Sequence, residues 1–241
     1  KCVLPEKLEC IEDNAFYDTS LTGTVQLPEG LKYVAGFRGT NISNVHFPST
    51  LEEIRDYTFE GCKSLMCELV LPQSLKRIGE CAFYLSAIRG NLVLPEGLEY
   101  IGETAFKSCT NLTGSLTIPS GIHTISSQAF SECGFTGNLT LPMGLTEIGN
   151  NAFYSVDFKG ELNIPSTVSS IGRYAFSYTD FSGTLILPKE LIVLERDAFS
   201  YCQRLSGIVE IPENIVVIPS KLFDGCKNLE GVVFHKNVEV I

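Results

Sequence analysis

Ala105-Phe106-Lys107-Ser108-Cys109-Thr110-Asn111-Leu112-Thr113-Gly114-Ser115-Leu116-Thr117-Ile118-Pro119 is one turn of a pattern that returns along the whole chain. Aligned on its proline, the pattern puts Pro5, Pro28, Pro48, Pro72, Pro95, Pro119, Pro142, Pro165, Pro188 and Pro212 in one column, with His235 in the same place at the end. The steps are 23, 20, 24, 23, 24, 23, 23, 23, 24 and 23 residues. Eleven residues after nearly every proline comes a phenylalanine: Phe16, Phe59, Phe83, Phe106, Phe130, Phe153, Phe176, Phe199 and Phe223; Phe37 arrives early, at nine. Most of the 15 Phe and all but one of the 11 Pro therefore fall in two columns, which marks a repeat architecture.

Each column has a physical reading. The residues one and three before the proline are apolar and alternate with polar ones, as in Leu139-Thr140-Leu141-Pro142, so a short strand faces the core on one side and solvent on the other. Proline ends that strand by withdrawing a ladder donor. A second apolar pair follows, such as Leu98 and Ile101 or Val168 and Ile171, then the Ala-Phe step, with room for about two helical turns. Roughly six or seven inward side chains per unit, at about 1.5 to 3 kcal/mol each, cannot offset the ordering of 23 residues at about 1 to 2 kcal/mol each. A unit folds only against its neighbours, and stacking turns each apolar column into a continuous ladder. The sequence predicts an α/β repeat solenoid of about ten 23-residue units, with short parallel strands and short helical turns, forming a single domain over 1–241. An eight-unit β/α barrel is excluded because the non-strand part of each unit is too short for a crossover helix. A parallel β-helix is the nearer rival, set aside because Ala-Phe followed by Cys-x-x-Leu reads as helical.

The composition narrows the function. With 18 Lys plus Arg against 28 Asp plus Glu, the net charge of -10 argues against a surface for nucleic acid or anionic lipid. No apolar run is long enough for a membrane-spanning helix, so membrane insertion is not expected. The chain opens on Lys1-Cys2-Val3 and closes on Val240-Ile241, and neither end carries a polar capping unit, so it reads as a piece of a longer or processed chain. Nine cysteines is an odd number, and no Cys-x-x-Cys occurs. Cys62, Cys109, Cys133, Cys202 and Cys226 share one column three residues after the phenylalanine, as small buried side chains would. His46, His123 and His235 lie in different columns and distant units. No catalytic residue, cofactor or metal site is expected.

The pattern Gly-x-Leu-x-Ile-Pro-x-x-Leu-x-x-Ile-Gly-x-x-Ala-Phe-x-x-Cys-x-x-Leu resembles the BspA-like class of leucine-rich repeat, over the whole chain. The resemblance implies a right-handed leucine-rich repeat coil and an exported protein, extracellular or on a bacterial cell surface. Adhesion and protein binding are the roles it suggests, with a host matrix or surface protein as partner. A glycan-binding module of an uptake system and a passive spacer are the alternatives. Two departures stand out: the short second unit, with Gly36-Phe37-Arg38-Gly39, predicts a kink, and the glycine five before the proline is missing before Pro48 and Pro72.

Without catalytic groups, function falls to the surface. Tyr17, Tyr84, Tyr154, Tyr178 and Tyr201 follow the repeat phenylalanine by one or two residues, and Tyr154, Tyr178 and Tyr201 come from consecutive units, which makes an aromatic strip suited to partner contact. The outward rows of the strand supply the other candidates: Asn91, Ser115, Thr117, Asn138, Thr140, Glu161, Asn163 and Thr184.

Overall fold

The structure is a computed structural model that describes residues 3–241. It is a parallel-strand solenoid of about nine coils of about 23 residues. Two strand positions recur in each coil. The one after the proline builds two four-rung ladders: Tyr33–Val34, Glu53–Ile54, Arg77–Ile78 and Tyr100–Ile101, then Thr124–Ile125, Glu147–Ile148, Ser170–Ile171 and Val193–Leu194. Every rung is parallel and in register, so the second residue of each forms an inward aliphatic row. The strand before the proline pairs Thr22–Gln26 with Asn41–His46, Gly90–Asn91 with Leu112–Thr113, and Leu116–Thr117 with Leu139–Thr140. Near the end, Gly183–Thr184 pairs with Leu205–Glu210, and that strand pairs with Leu229–Val233.

Phenylalanine forms the spine of the core. The rings of Phe16, Phe37, Phe59, Phe83, Phe106, Phe130, Phe153, Phe176, Phe199 and Phe223 stack in order, with centroids 5.1 to 6.1 Å apart and planes within 27°. Offset stacking at this spacing adds about 0.5 to 1.5 kcal/mol per pair beyond area burial. Phe135, Phe158 and Phe181 form a second, shorter stack, edge-on to the first.

The expected helical turns are absent: among the described residues there is no helix. A helix would close its N–H groups onto carbonyls within the segment. In the Ala-Phe turns the amides instead alternate between two destinations. Tyr57, Phe59 and Gly61 donate to Glu80, Ala82 and Tyr84 of the next coil, whereas Glu60 and Cys62 fold back three residues to Tyr57 and Phe59. Residues two before and two after the phenylalanine hold a left-handed backbone, for example Thr104 and Ser108 at φ 56° and 58°. Such residues interrupt a right-handed helix. The α half of the α/β expectation is thus wrong, while the coil, the parallel strands and the period stand.

The short second unit is absorbed without breaking the stack: Phe37 lies 5.1 Å from Phe16 and 5.7 Å from Phe59, and Val34 pairs with Ile54. The irregularity appears instead as a bulge at Ser43, which the Thr22–Gln26 register skips. The same skip occurs at Glu230, and both residues hold the place five before the proline position where other coils have glycine. That glycine makes room for its neighbour. A Cβ on Gly114 would lie 3.0 Å from Asn91 Oδ1, on Gly160 2.9 Å from Asn138 Oδ1, and on Gly207 2.5 Å from Thr184 Oγ1. Where the residue has a side chain, it leaves the ladder.

Candidate functional site

The strand-face candidates are all exposed. Asn91, Ser115, Asn138, Glu161 and Thr184 form one row, each leaning over the glycine of the following coil, and Ser115 Oγ accepts the Asn138 amide at 2.9 Å. Thr117, Thr140 and Asn163 form a parallel row two residues on, whose continuation is apolar at Val70, Val93 and Ile186. The ladder fixes the backbone under these side chains, so the rows form a pre-ordered surface. A depression of about 470 Å³ opens at its N-terminal part between His46, Phe47, Met66 and Val70. The sequence reading did not place a site there. Its signal was the missing glycine at Ser43 and Cys67, since no strand forms before Pro72 and the ladder gapes.

The cysteine column proves structural. The thiols of Cys62, Cys109, Cys133, Cys202 and Cys226 donate to the carbonyls of Phe37, Phe83, Phe106, Phe176 and Phe199, one coil back, at 3.0 to 3.1 Å. The eight described cysteines are free, and among the described residues no cluster could hold a metal ion. Burial pushes the Cys109 thiol up to about 12 and Cys133 well above its ordinary value. Thiolate is the reactive form. Iodoacetamide at pH 8 is expected to spare Cys109 and Cys133 in the folded chain and to label both in urea; mass spectrometry showing rapid native labelling at either would contradict the burial.

The aromatic candidates come together. Tyr178 and Tyr201 stack at 4.5 Å and 5°, and Tyr154 meets Tyr178 edge-on at 5.7 Å. Tyr178 and Tyr201 are exposed and Tyr154 is half-buried. With Tyr174, 6.3 Å from Tyr154, they line a groove of about 410 Å³ whose polar walls are Asn151, Asp197, Lys221 and Asp224. The sequence reading missed these four and Tyr174, most of which sit two residues before the repeat phenylalanine. Tyr201 ionises above its ordinary value because the Asp224 charge and the Tyr178 phenol oppose a phenolate, with Asp197 adding to the effect. Burial, then Tyr178 and Glu132, raise Tyr154. Two carboxylates, Asp197 and Asp224, and one ammonium, Lys221, line the groove. Tyr17 of the same strip lies elsewhere, with Arg38 over its ring at 5.4 Å.

A family model described as BspA type leucine rich repeat region matches the chain in six copies, over residues 1–89, 32–159, 88–206 and 157–241. The chain belongs to the BspA-type leucine-rich repeat family. A leucine-rich repeat protein from Bacteroides ovatus is similar to this BspA-type chain at 24% identity and a TM-score of 0.78, covering 97% of this chain and 66% of its own. A leucine rich cell surface protein from Faecalibacterium prausnitzii is similar at 19% identity and a TM-score of 0.54, covering 92% and 75%. The pneumococcal vaccine antigen PcpA is similar at 19% and 0.54, covering 97% and 62%. These likenesses establish the fold alone. No curated protein matches the chain.

Proposed function

We propose that this BspA-type chain is a non-enzymatic protein-recognition module acting in adhesion at a bacterial cell surface. The observation that carries this reading is the double row on the pre-proline strands, from Asn91 to Thr184, exposed and held by the coil ladder. Recognition by such a surface needs little ordering on binding, which favours a broad protein partner. Members of this family generally serve as protein-binding scaffolds, and one structural neighbour is described as a cell surface protein. The strand face that carries it presents single hydroxyls, amides and one carboxylate, a surface for contact along several coils.

The test is a binding screen against immobilised host matrix proteins, repeated with a Thr117→Lys, Thr140→Lys, Asn163→Lys variant. These positions are exposed, so the melting temperature should hold while a saturable interaction falls at least about tenfold, equivalent to about 1.4 kcal/mol. Binding only to a glycan panel would replace this reading with carbohydrate recognition, and silence in both would leave a spacer.

A further inference from the structure

The residue after the repeat phenylalanine forms a row along the turn side of the solenoid, and its composition changes between the two ends. Near the N-terminus it reads Tyr17, Arg38, Glu60 in successive coils. Arg38 lies 5.4 Å from the Tyr17 ring centroid and 5.3 Å from that of Tyr57; its guanidinium donates from Nη2 to Glu60 Oε1 at 3.1 Å, and its Nε lies 2.8 Å from Oε2 in the same ion pair. A planar cation is thus held between an aromatic ring one coil before it and a carboxylate one coil after it. Near the C-terminus the same row reads Tyr154, Ser177, Ser200, Asp224. The two serines are buried and hydrogen-bonded to each other at 2.7 Å, so where Arg38 stands in the first case the second has a gap. That gap is the tyrosine groove.

Its floor carries an unspent acceptor. Asp197 is only 5% exposed, yet among the described residues its carboxylate makes no side-chain hydrogen bond and no ion pair, and it lines the groove close enough to Tyr201 to oppose phenol ionisation. Its oxygens reach solvent only through the groove, so a donor-rich cation entering there meets an ionised acceptor free of protein partners, with which charge-assisted hydrogen bonds are stronger than those of a neutral ligand. The charged groups facing the groove are Asp197, Asp224 and Lys221, with Arg196 turned to the Tyr174 ring at 5.9 Å.

We propose that the groove between Tyr154, Tyr201, Asp197 and Asp224 is a receptor for a guanidinium, the arginine side chain of a protein partner. This deepens the protein-recognition reading and rests on it. An incoming arginine would lie over Ser177 and Ser200, a gap one coil wider than the place Arg38 fills in its own row, with Tyr154 at one end, Asp224 at the other and Asp197 beneath. Its five N–H donors suit a site built of carboxylate and phenol oxygens.

The experiment uses the full chain with ring-labelled tyrosine and the peptide acetyl-Gly-Arg-Gly-amide, titrated by NMR into the millimolar range, against the isosteric citrulline peptide. Saturable shifts are expected at Tyr154, Tyr178 and Tyr201 with arginine and not with citrulline. Asp197→Asn should weaken the arginine peptide at least about tenfold; asparagine tolerates the left-handed backbone at this position, φ 58°, so the fold is retained. Asp224→Asn should weaken it and Lys221→Gln should tighten it. Equal binding of citrulline, no shift at these rings, or displacement by sugars rather than by the arginine peptide would overturn the proposal. The strand-face lysine variant separates the two ideas: it should leave arginine binding intact. A matrix-protein partner with no arginine response would leave the broader reading standing and remove this one.

Discussion

Phe130→Ala is expected to lower the stability of the chain by about 3 to 5 kcal/mol, the range for deleting a buried ring. Phe130 is fully buried and stacks on Phe106 at 5.5 Å and Phe153 at 5.8 Å, with Phe135 edge-on at 6.4 Å. In a solenoid, stability is a sum over coil interfaces, and this residue belongs to two of them. The same substitution at Phe223, which is half-buried and meets the stack only through Phe199 at 6.1 Å, should cost clearly less. Urea unfolding followed by circular dichroism measures both. A single transition with a lower midpoint in Phe130→Ala would mean that the coils still unfold together, and a split transition that the gap uncouples two halves; equal losses at Phe130 and Phe223 would contradict the ladder as the source of cohesion.

The period was legible because proline and phenylalanine each occupy a position that nothing else fills well: proline ends a strand, and phenylalanine fills the turn corner. The backbone of that corner was not legible. Phe59, Cys62 and Leu65 have the three-residue spacing of a helix face, and the spacing is real, but the donors of Tyr57, Phe59 and Gly61 are claimed by the next coil. No local pattern discloses a hydrogen bond to a residue 23 positions away. The left-handed positions give only a faint signal, since Asn151, Asp197 and Gly225 are residues that tolerate this backbone while Leu85, Tyr174 and Tyr178 are not.

The surfaces divide the same way. Strand alternation put Asn91, Ser115, Asn138 and Thr140 on the outside, where they are. Tyr154, Tyr178 and Tyr201 were found as a strip from their spacing, and the structure gathers them. The groove beside them depends on Ser177 and Ser200 being small in two consecutive coils, and on Asp197 lying under the gap. A reading along the chain sees those serines as ordinary turn residues. Only a reading down the column, Tyr154 to Asp224, shows the missing large side chain.

The second large effect follows from one close approach of backbone to backbone. The step from Pro95 to Pro119 is 24 residues, like those from Pro48 to Pro72 and from Pro188 to Pro212, and the added residue falls between Phe106 and Gly114, eight positions apart where the 23-residue coils have seven. The backbone from Thr110 to Leu112 lies against Gly134 of the following coil, whereas the same place after the other two 24-residue coils holds Ala87 and Lys227. A Cβ on Gly134 would lie 2.6 Å from the Leu112 carbonyl oxygen and closer still to that of Thr110. Both obstacles are backbone, so no side-chain rotation relieves them. Gly134→Ala is expected to cost about 2 to 3 kcal/mol, the upper part of the usual range for overpacking. The φ of Gly134 is not left-handed, so the loss isolates crowding from backbone preference. Gly97→Ala is the matched control: its Cβ would crowd the Lys76 ammonium at 3.1 Å, which can swing into solvent, and would meet backbone, the Gln73 carbonyl oxygen, at an ordinary 3.5 Å. That variant should stay within about 0.5 kcal/mol of the parent. Similar midpoints for Gly134→Ala and Gly97→Ala would show that the backbone at Thr110 to Leu112 moves aside freely, and that glycine at this place answers to something other than its neighbour's backbone.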